Sequence, residues 1–160
     1  MEMKGFVNIR IDSRLIHGQV AGIWSPYFEV TRIMVIDDEI VQDDMQKELL
    51  RMVAPAGVRT SILSKEKALA NILAEKYSNQ RVLLVVKTPY YIQYLKDNGV
   101  DVQTINVGNM STRENTRRIT SSICITPEEE KIFKDLIDKD VKVTVQMVPT
   151  DSQKLLKDLL

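Results

Sequence analysis

The chain is poor in the residues from which metal and thiol sites are made. It has one cysteine, Cys124, and one histidine, His17, too few for a Cys/His zinc site or an iron–sulfur cluster. No metal site built from cysteine and histidine is therefore expected. A lone cysteine has nothing to pair with inside the chain, which fits a reducing compartment such as the cytosol. There are six glycines and neither a G-x-G-x-x-G pattern nor a P-loop, so the backbone cradle of a nucleotide-binding module is missing. No run approaches the roughly 18–20 apolar residues of a membrane span, and Met1-Glu2-Met3-Lys4-Gly5 carries no apolar signal core. Neither sign of charge dominates: 22 Lys+Arg balance 22 Asp+Glu, which gives no global attraction to nucleic acid. Any imidazole chemistry must happen at His17.

What is present is an ordinary globular composition, 44% hydrophobic and 28% charged over 160 residues, enough for one domain with a sizeable core. No repeat, low-complexity stretch or linker divides it, so residues 1–160 read as a single domain. Apolar runs predict strands at 6–11, 31–36, 58–63, 81–86, 102–107 and 141–148, with a shorter one at 122–125. The run after Arg81 is continuously apolar, as in a central parallel strand covered on both faces. Val141, Val143, Val145 and Met147 alternate with Lys142, Thr144 and Gln146, which predicts a wetter or antiparallel strand near a sheet edge. Between the strands lie helical periods. Ala68, Leu69, Ile72 and Leu73 make one apolar stripe. Thr126-Pro127-Glu128-Glu129 has the form of a capping box with proline in the first turn, and Gly99 sits where a helix would end. The alternation predicts an α/β fold: an open, mainly parallel sheet of about six to seven strands with helices on both faces. Ligands of such sheets gather at the carboxyl ends of the strands.

The first strand ends in Arg10-Ile11-Asp12-Ser13-Arg14-Leu15-Ile16-His17-Gly18-Gln19-Val20. Two guanidiniums suited to phosphate oxygens, one carboxylate and the only imidazole thus fall at a strand exit. Gly18 allows a close backbone turn, and a helix beginning there would aim free N–H groups at an anion. Asp12 could accept a ring N–H of His17 or orient an arginine. The set reads as an anion site with a nucleophile inside it.

This stretch resembles the R-I-D-x-R-L-I-H-G-Q-V signature of the enzyme IIB components of the mannose/fructose/sorbose class of the bacterial phosphoenolpyruvate-dependent phosphotransferase system. Leu50-Arg51-Met52-Val53-Ala54-Pro55, Ile105-Asn106-Val107-Gly108-Asn109-Met110 and Val145-Gln146-Met147-Val148-Pro149-Thr150-Asp151-Ser152 look like later family blocks in the same order. The resemblance implies a cytoplasmic phosphoryl carrier associated with the inner face of the membrane through its transporter. His17 would take phosphate from a phosphohistidine on a IIA domain and pass it to a sugar moving through the IIC and IID components. Arg14, Arg10 and Gly18 would stabilise the phosphoryl group, with Asp12, Asp37 and Gly108 in support. No cofactor is implied, and a homodimer is one assembly the family offers. Ser13 stands where the family often has an acidic residue, and Asn109 where a second glycine is common. The sugar, the phosphorylated ring nitrogen and the oligomeric state are not encoded legibly.

Two other groups compete for attention. Asp37-Asp38 follows the second strand and could hold Mg²⁺ or a phosphoryl group; the plainer reading puts Asp37 at the sheet edge and starts a helix at Asp38 or Glu39. Arg113, Arg117 and Arg118 fall in a long connection over 107–120, either as a solvated cluster or as a basic rim that docks an acidic partner. No aromatics are interleaved with them, against nucleic-acid binding. Trp24, Tyr27 and Phe28 are expected to pack, and Cys124 to be a small buried residue.

Overall fold

In the computed structural model, which describes residues 2–160, the strands in chain order are β1 (Phe6–Asp12), β2 (Arg32–Ile36), β3 (Arg59–Leu63), β4 (Val82–Val86), β5 (Thr104–Asn109), β6 (Arg117–Thr120), β7 (Ile123–Ile125), β8 (Lys142–Val145) and β9 (Lys154–Leu155). Seven of them form one sheet in the order β3-β2-β4-β1-β5-β8-β9. All its pairings are parallel except β8–β9. Every residue of β4 is buried, which is why that strand could dispense with alternation: helices cover both its faces.

The helices are α1 (Ser25–Tyr27), which continues a π-helical turn over Val20–Trp24, then α2 (Asp44–Val53), α3 (Lys65–Leu73), α4 (Tyr90–Asp97) and α5 (Pro127–Asp138). Val20 and Trp24 pack on one face of the sheet with Ile33, Val35, Leu83 and Val85. Residues of α3, α4 and α5 pack on the other against Ile9, Ile11, Met34 and Leu84. The crossover from β1 to β2 therefore leaves on one face and that from β4 to β5 on the other, so adjacent β1 and β4 mark the point where the chain reverses direction. Their carboxyl ends open the crevice in which such folds hold ligands.

Local signals are satisfied as expected. Thr126 and Glu129 close a reciprocal capping box on α5. Gly99 takes φ +95, with Gly99 N–H donating to Lys96 O and Val100 N–H to Leu95 O, the paired bonds of a Schellman ending. Other expectations shift. The strand read over 141–148 stops at Val145; it lies next to the sheet edge as expected, parallel to β5 on one side and antiparallel on the other to the edge strand β9, supplied by Lys154–Leu155. Thr144 points inward and is buried because its hydroxyl accepts from Asn106 and donates to Ile105 O. The long connection over 107–120 contains β6, which forms a separate hairpin with β7. Four polar-leaning residues, Arg-Arg-Ile-Thr, carry too weak a strand pattern to be read without their partner. The helix after Asp37-Asp38 is capped later than expected: a 3₁₀ turn covers Ile40–Gln42, and Asp43 caps α2 by accepting from Gln46 N–H.

Candidate functional site

Alternation along β1 sends Ile9 and Ile11 into the core and Asn8, Arg10 and Asp12 to the opposite face. There, β5 and β8 also turn polar side chains inward, and the register puts Arg10 beside Asn106 and Asn106 beside Thr144. The result is a buried polar row across three strands. Arg10 Nη1 donates to Asn106 Oδ1 at 2.6 Å, and Asn106 Nδ2 to Thr144 Oγ1 at 3.2 Å.

Just beyond β1 the chain turns at residues 12–15, with Leu15 N–H donating to Asp12 O. The residue that takes the left-handed conformation is Leu15, φ 59, itself buried. This differs from the reading of Gly18 as the turning residue. Gly18 has no positive φ, and a Cβ on it would meet nothing within 4 Å. Its value is an open approach to the start of the helix, where Ala21 N–H makes the first turn's bond to His17 O. Strain of about 1–3 kcal/mol is typical of a non-glycine residue in this region of backbone space, and such residues cluster at functional sites.

Asp12 is the hub, fully buried and shared by three partners. His17 Nε2 lies 3.0 Å from its Oδ2. Arg14 reaches it with the backbone N–H at 3.0 Å, Nε at 3.1 Å and Nη2 at 3.2 Å. Arg10 Nη2 reaches Oδ2 at 3.3 Å. Burial pushes the carboxyl pKa up, but hydrogen bonds from His17 and Arg14 outweigh it and hold Asp12 below its ordinary value. On the far side of the ring, Gln19 N–H donates to His17 Nδ1 at 3.3 Å. A carboxylate can only accept, and a backbone N–H can only donate, so both neighbours select the neutral Nε2–H tautomer with the lone pair on Nδ1. That nitrogen faces the N-terminal end of the helix.

The two arginines play unlike parts. Arg14 is a surface residue whose Nη2 also donates to Gln19 Oε1; its Nη1 has no partner among the described residues. Arg10, read from sequence as a phosphate ligand, is fully buried. Its Nη1 serves Asn106 Oδ1 and Gln146 O, and its Nη2 serves Asp12 and Met147 O. Burial pulls its pKa down, against the opposing pull of Asp12. It meets the site through Asp12. Gly108 serves Arg10 as well, since a Cβ there would overlap the guanidinium.

Other expected residues are placed as follows. Asp37 Oδ1 accepts from Glu39 N–H and Ile40 N–H, and Asp38 pairs with Lys65 at the start of α3. Ser13 Oγ accepts from Ser111 N–H, tying the loop after β1 to that after β5; Asn109 has no positive φ. Arg113 closes a two-point fork on buried Glu129 and also donates to Cys124 O. Arg117 pairs with Glu130, while Arg118 donates to the carbonyls of Thr120 and Ser121. Beside the hub, a cleft of about 450 Å³ runs along the same strand ends, lined by Ser13, Asp37, Lys87, Tyr91, Ser111 and Arg113. Sequence reading missed Lys87, Leu15, Gln19 and the carbonyls of 146–147. The one available signal was Asn106, a polar residue set between the apolar Ile105 and Val107. Among the described residues, no cluster of three or more His, Cys, Asp or Glu could hold a metal ion.

The site is thus a strand-end crevice of a doubly wound sheet that holds the chain's single histidine, with a buried carboxylate on one side of its ring and an arginine alongside. Comparison with known proteins makes this particular. Residues 6–160 match the family model described as the PTS system sorbose subfamily IIB component. The fructose-specific EIIB component of Bacillus subtilis is 36% identical over 152 residues, covering 95% of this chain and 93% of its own. The mannose-specific EIIAB component of Escherichia coli is 34% identical over 94% of this chain, which spans only 47% of that longer protein. The crystal structure of the IIBSor domain of the Klebsiella pneumoniae sorbose permease superposes with a TM-score of 0.91 at 30% identity, covering 96% of this chain and 94% of the other. The chain belongs to the sorbose-subfamily IIB components of the sugar phosphotransferase system. No helix among the described residues is long and apolar enough to cross a membrane.

Proposed function

We propose that the chain is the phosphoryl carrier of a sugar transporter, phosphorylated on His17 Nδ1 by a IIA partner and discharging to a sugar carried by IIC and IID membrane components. The observation that supports this most directly is the imidazole held between Asp12 and Gln19 N–H, which presents one lone pair toward a helix start with Arg14 at its side. The relative that joins IIA and IIB in one chain, the mannose-specific EIIAB component, favours IIA as donor.

In the proposed transfer, the lone pair of Nδ1 gives up its hydrogen bond from Gln19 N–H and forms the new N–P bond, while the donor's N–P bond breaks and its electron pair returns to the donor ring. The Nε2 proton stays in its bond to Asp12 throughout. Passage to a sugar hydroxyl forms an O–P bond, breaks the N–P bond so that its electron pair restores the lone pair on Nδ1, and releases the hydroxyl proton to water. Such transfer asks the protein for positioning and charge stabilisation. The free Nη1 of Arg14 and the N–H groups of the first helical turn supply it; Arg10 contributes by fixing Asp12. No cofactor enters this scheme. The carrier would act in the cytoplasm, held to the membrane by its transporter. Arg118, with no carboxylate partner among the described residues, is the member of the basic rim best placed to meet an acidic donor surface.

His17→Ala is expected to abolish phosphorylation and Arg14→Lys to slow it in a folded protein, because an ammonium cannot reproduce a guanidinium fork. Normal relay through the His17→Ala protein, measured with a reconstituted phosphorylated IIA, would end this reading. The phosphoryl linkage should be acid-labile and base-stable. Destruction by base would point instead to an aspartyl phosphate, for which Asp37 and Asp38 are poorly disposed, both being engaged in capping and pairing.

A further inference from the structure

We infer that Trp24 is a positioning residue for His17, acting through Arg10 and Asp12. The kinetic part of this inference rests on the phosphohistidine reading; the structural part does not. Trp24 is the only tryptophan of the chain and is buried. The guanidinium of Arg10 lies over its ring, 5.0 Å from the centroid. Its Nε1–H donates to Met147 O at 2.8 Å, the same carbonyl that accepts from Arg10 Nη2 at 3.0 Å. That Nη2 also reaches Asp12 Oδ2, the atom that holds His17 Nε2.

An unbroken chain of contacts thus runs from the indole to the imidazole. Without Trp24, Arg10 would keep its partners on β5 but lose the surface that fixes its plane. Arg10 Nε is buried and makes no hydrogen bond, so hydrogen bonds hold the guanidinium only through Nη1 and Nη2. The Met147 carbonyl would lose one of its two donors, and residues 146–151, which leave the sheet at this point, would be tied down less firmly. A guanidinium free to tilt changes how Asp12 shares its oxygens, and Asp12 selects the tautomer of His17. The widened helical turn between His17 and Trp24, where Ser25 N–H bonds to Val20 O, fits the habit of π-turns to occur at functional sites.

The single histidine makes the test clean, since the imidazole ¹⁵N signals of an unphosphorylated sample come from His17 alone. Wild type should show the well-separated signals of a fixed Nε2–H tautomer. Trp24→Phe keeps a ring under Arg10 but has no N–H, and should draw the two signals together and slow phosphorylation by phosphoramidate about threefold; Trp24→Leu should do so about tenfold. Phosphoramidate is used because it needs no protein docking. Circular dichroism checks the fold of each variant. Unchanged ring signals and rate in a folded Trp24→Phe protein would overturn the inference, whether or not Trp24→Leu folds. Should wild type form no phosphohistidine, the transfer reading fails, while the ring signals still decide the role of Trp24.

Discussion

Two arginine groups sit near strand ends in this molecule, and in sequence they look alike. Around β1, Arg10 and Arg14 share one carboxylate, Asp12, with an imidazole. Around the β6–β7 hairpin, each guanidinium has its own carboxylate: Arg113 pairs with Glu129, and Arg117 with Glu130, which Lys134 also reaches from one turn along α5. Where each guanidinium is matched, its fork closes and the pair becomes a fastener between a loop and α5. Where two guanidiniums compete for one carboxylate, positive charge is left over beside a nucleophile. The ratio of partners, more than the number of arginines, separates a site from a strut.

The comparison can be broken most forcefully at Asp12. Asp12→Asn leaves buried Arg10 without a counter-charge and should cost about 3–5 kcal/mol of stability, seen as a lowered urea midpoint, with phosphorylation of His17 nearly lost. Gly108→Ala forces a methyl group into the Arg10 guanidinium; overpacking of this kind costs about 1–3 kcal/mol, and the phosphorylation rate should fall with it. On the other side, Glu129→Gln removes the charge that Arg113 grips and should cost about 1–2 kcal/mol while leaving phosphorylation by phosphoramidate unchanged. A rate loss there would erase the distinction between the two groups.

Acid should act through the same hub. Asp12 titrates below its ordinary 3.8 in the fold, so the stability it contributes is fully present above about pH 4 and is lost as pH falls through the lower, folded value. The difference in urea midpoint between wild type and Asp12→Asn should shrink across that acid range; a gap independent of pH would contradict the ion-paired carboxylate. The smallest effect belongs to Arg118→Ala, which should leave the thermal midpoint unchanged and raise the KM for a phosphorylated IIA donor about two- to threefold, more at low salt.

Legibility in the sequence followed the range of the interactions. The capping box at Thr126, the Schellman glycine at 99 and the apolar strand at 82–86 depend on neighbours within a few residues, so composition and spacing suffice to read them. The anion-site residues of 10–19 were legible as a group for the same reason. Their division of labour was not: Arg10 and Arg14 are chemically equal in sequence, yet strand alternation and the register with Asn106 bury one and leave the other at the surface. Strands β6 and β9 were missed because each is short and exists only through its partner. The later capping of α2 at Asp43 was hidden by two equally suitable aspartate caps at 37 and 38.

The single histidine by itself determined that imidazole chemistry, if any, could fall only at His17, and together with the lone cysteine it ruled out a Cys/His metal site. Only the tertiary structure decided which ring nitrogen is presented, because that choice depends on a carboxylate on β1 and a helical N–H meeting opposite sides of one ring. It likewise took the fold to join Arg10 to Trp24 and Met147, residues up to 137 positions apart. Local chemistry selects the kind of group; only packing fixes the angle at which it is held.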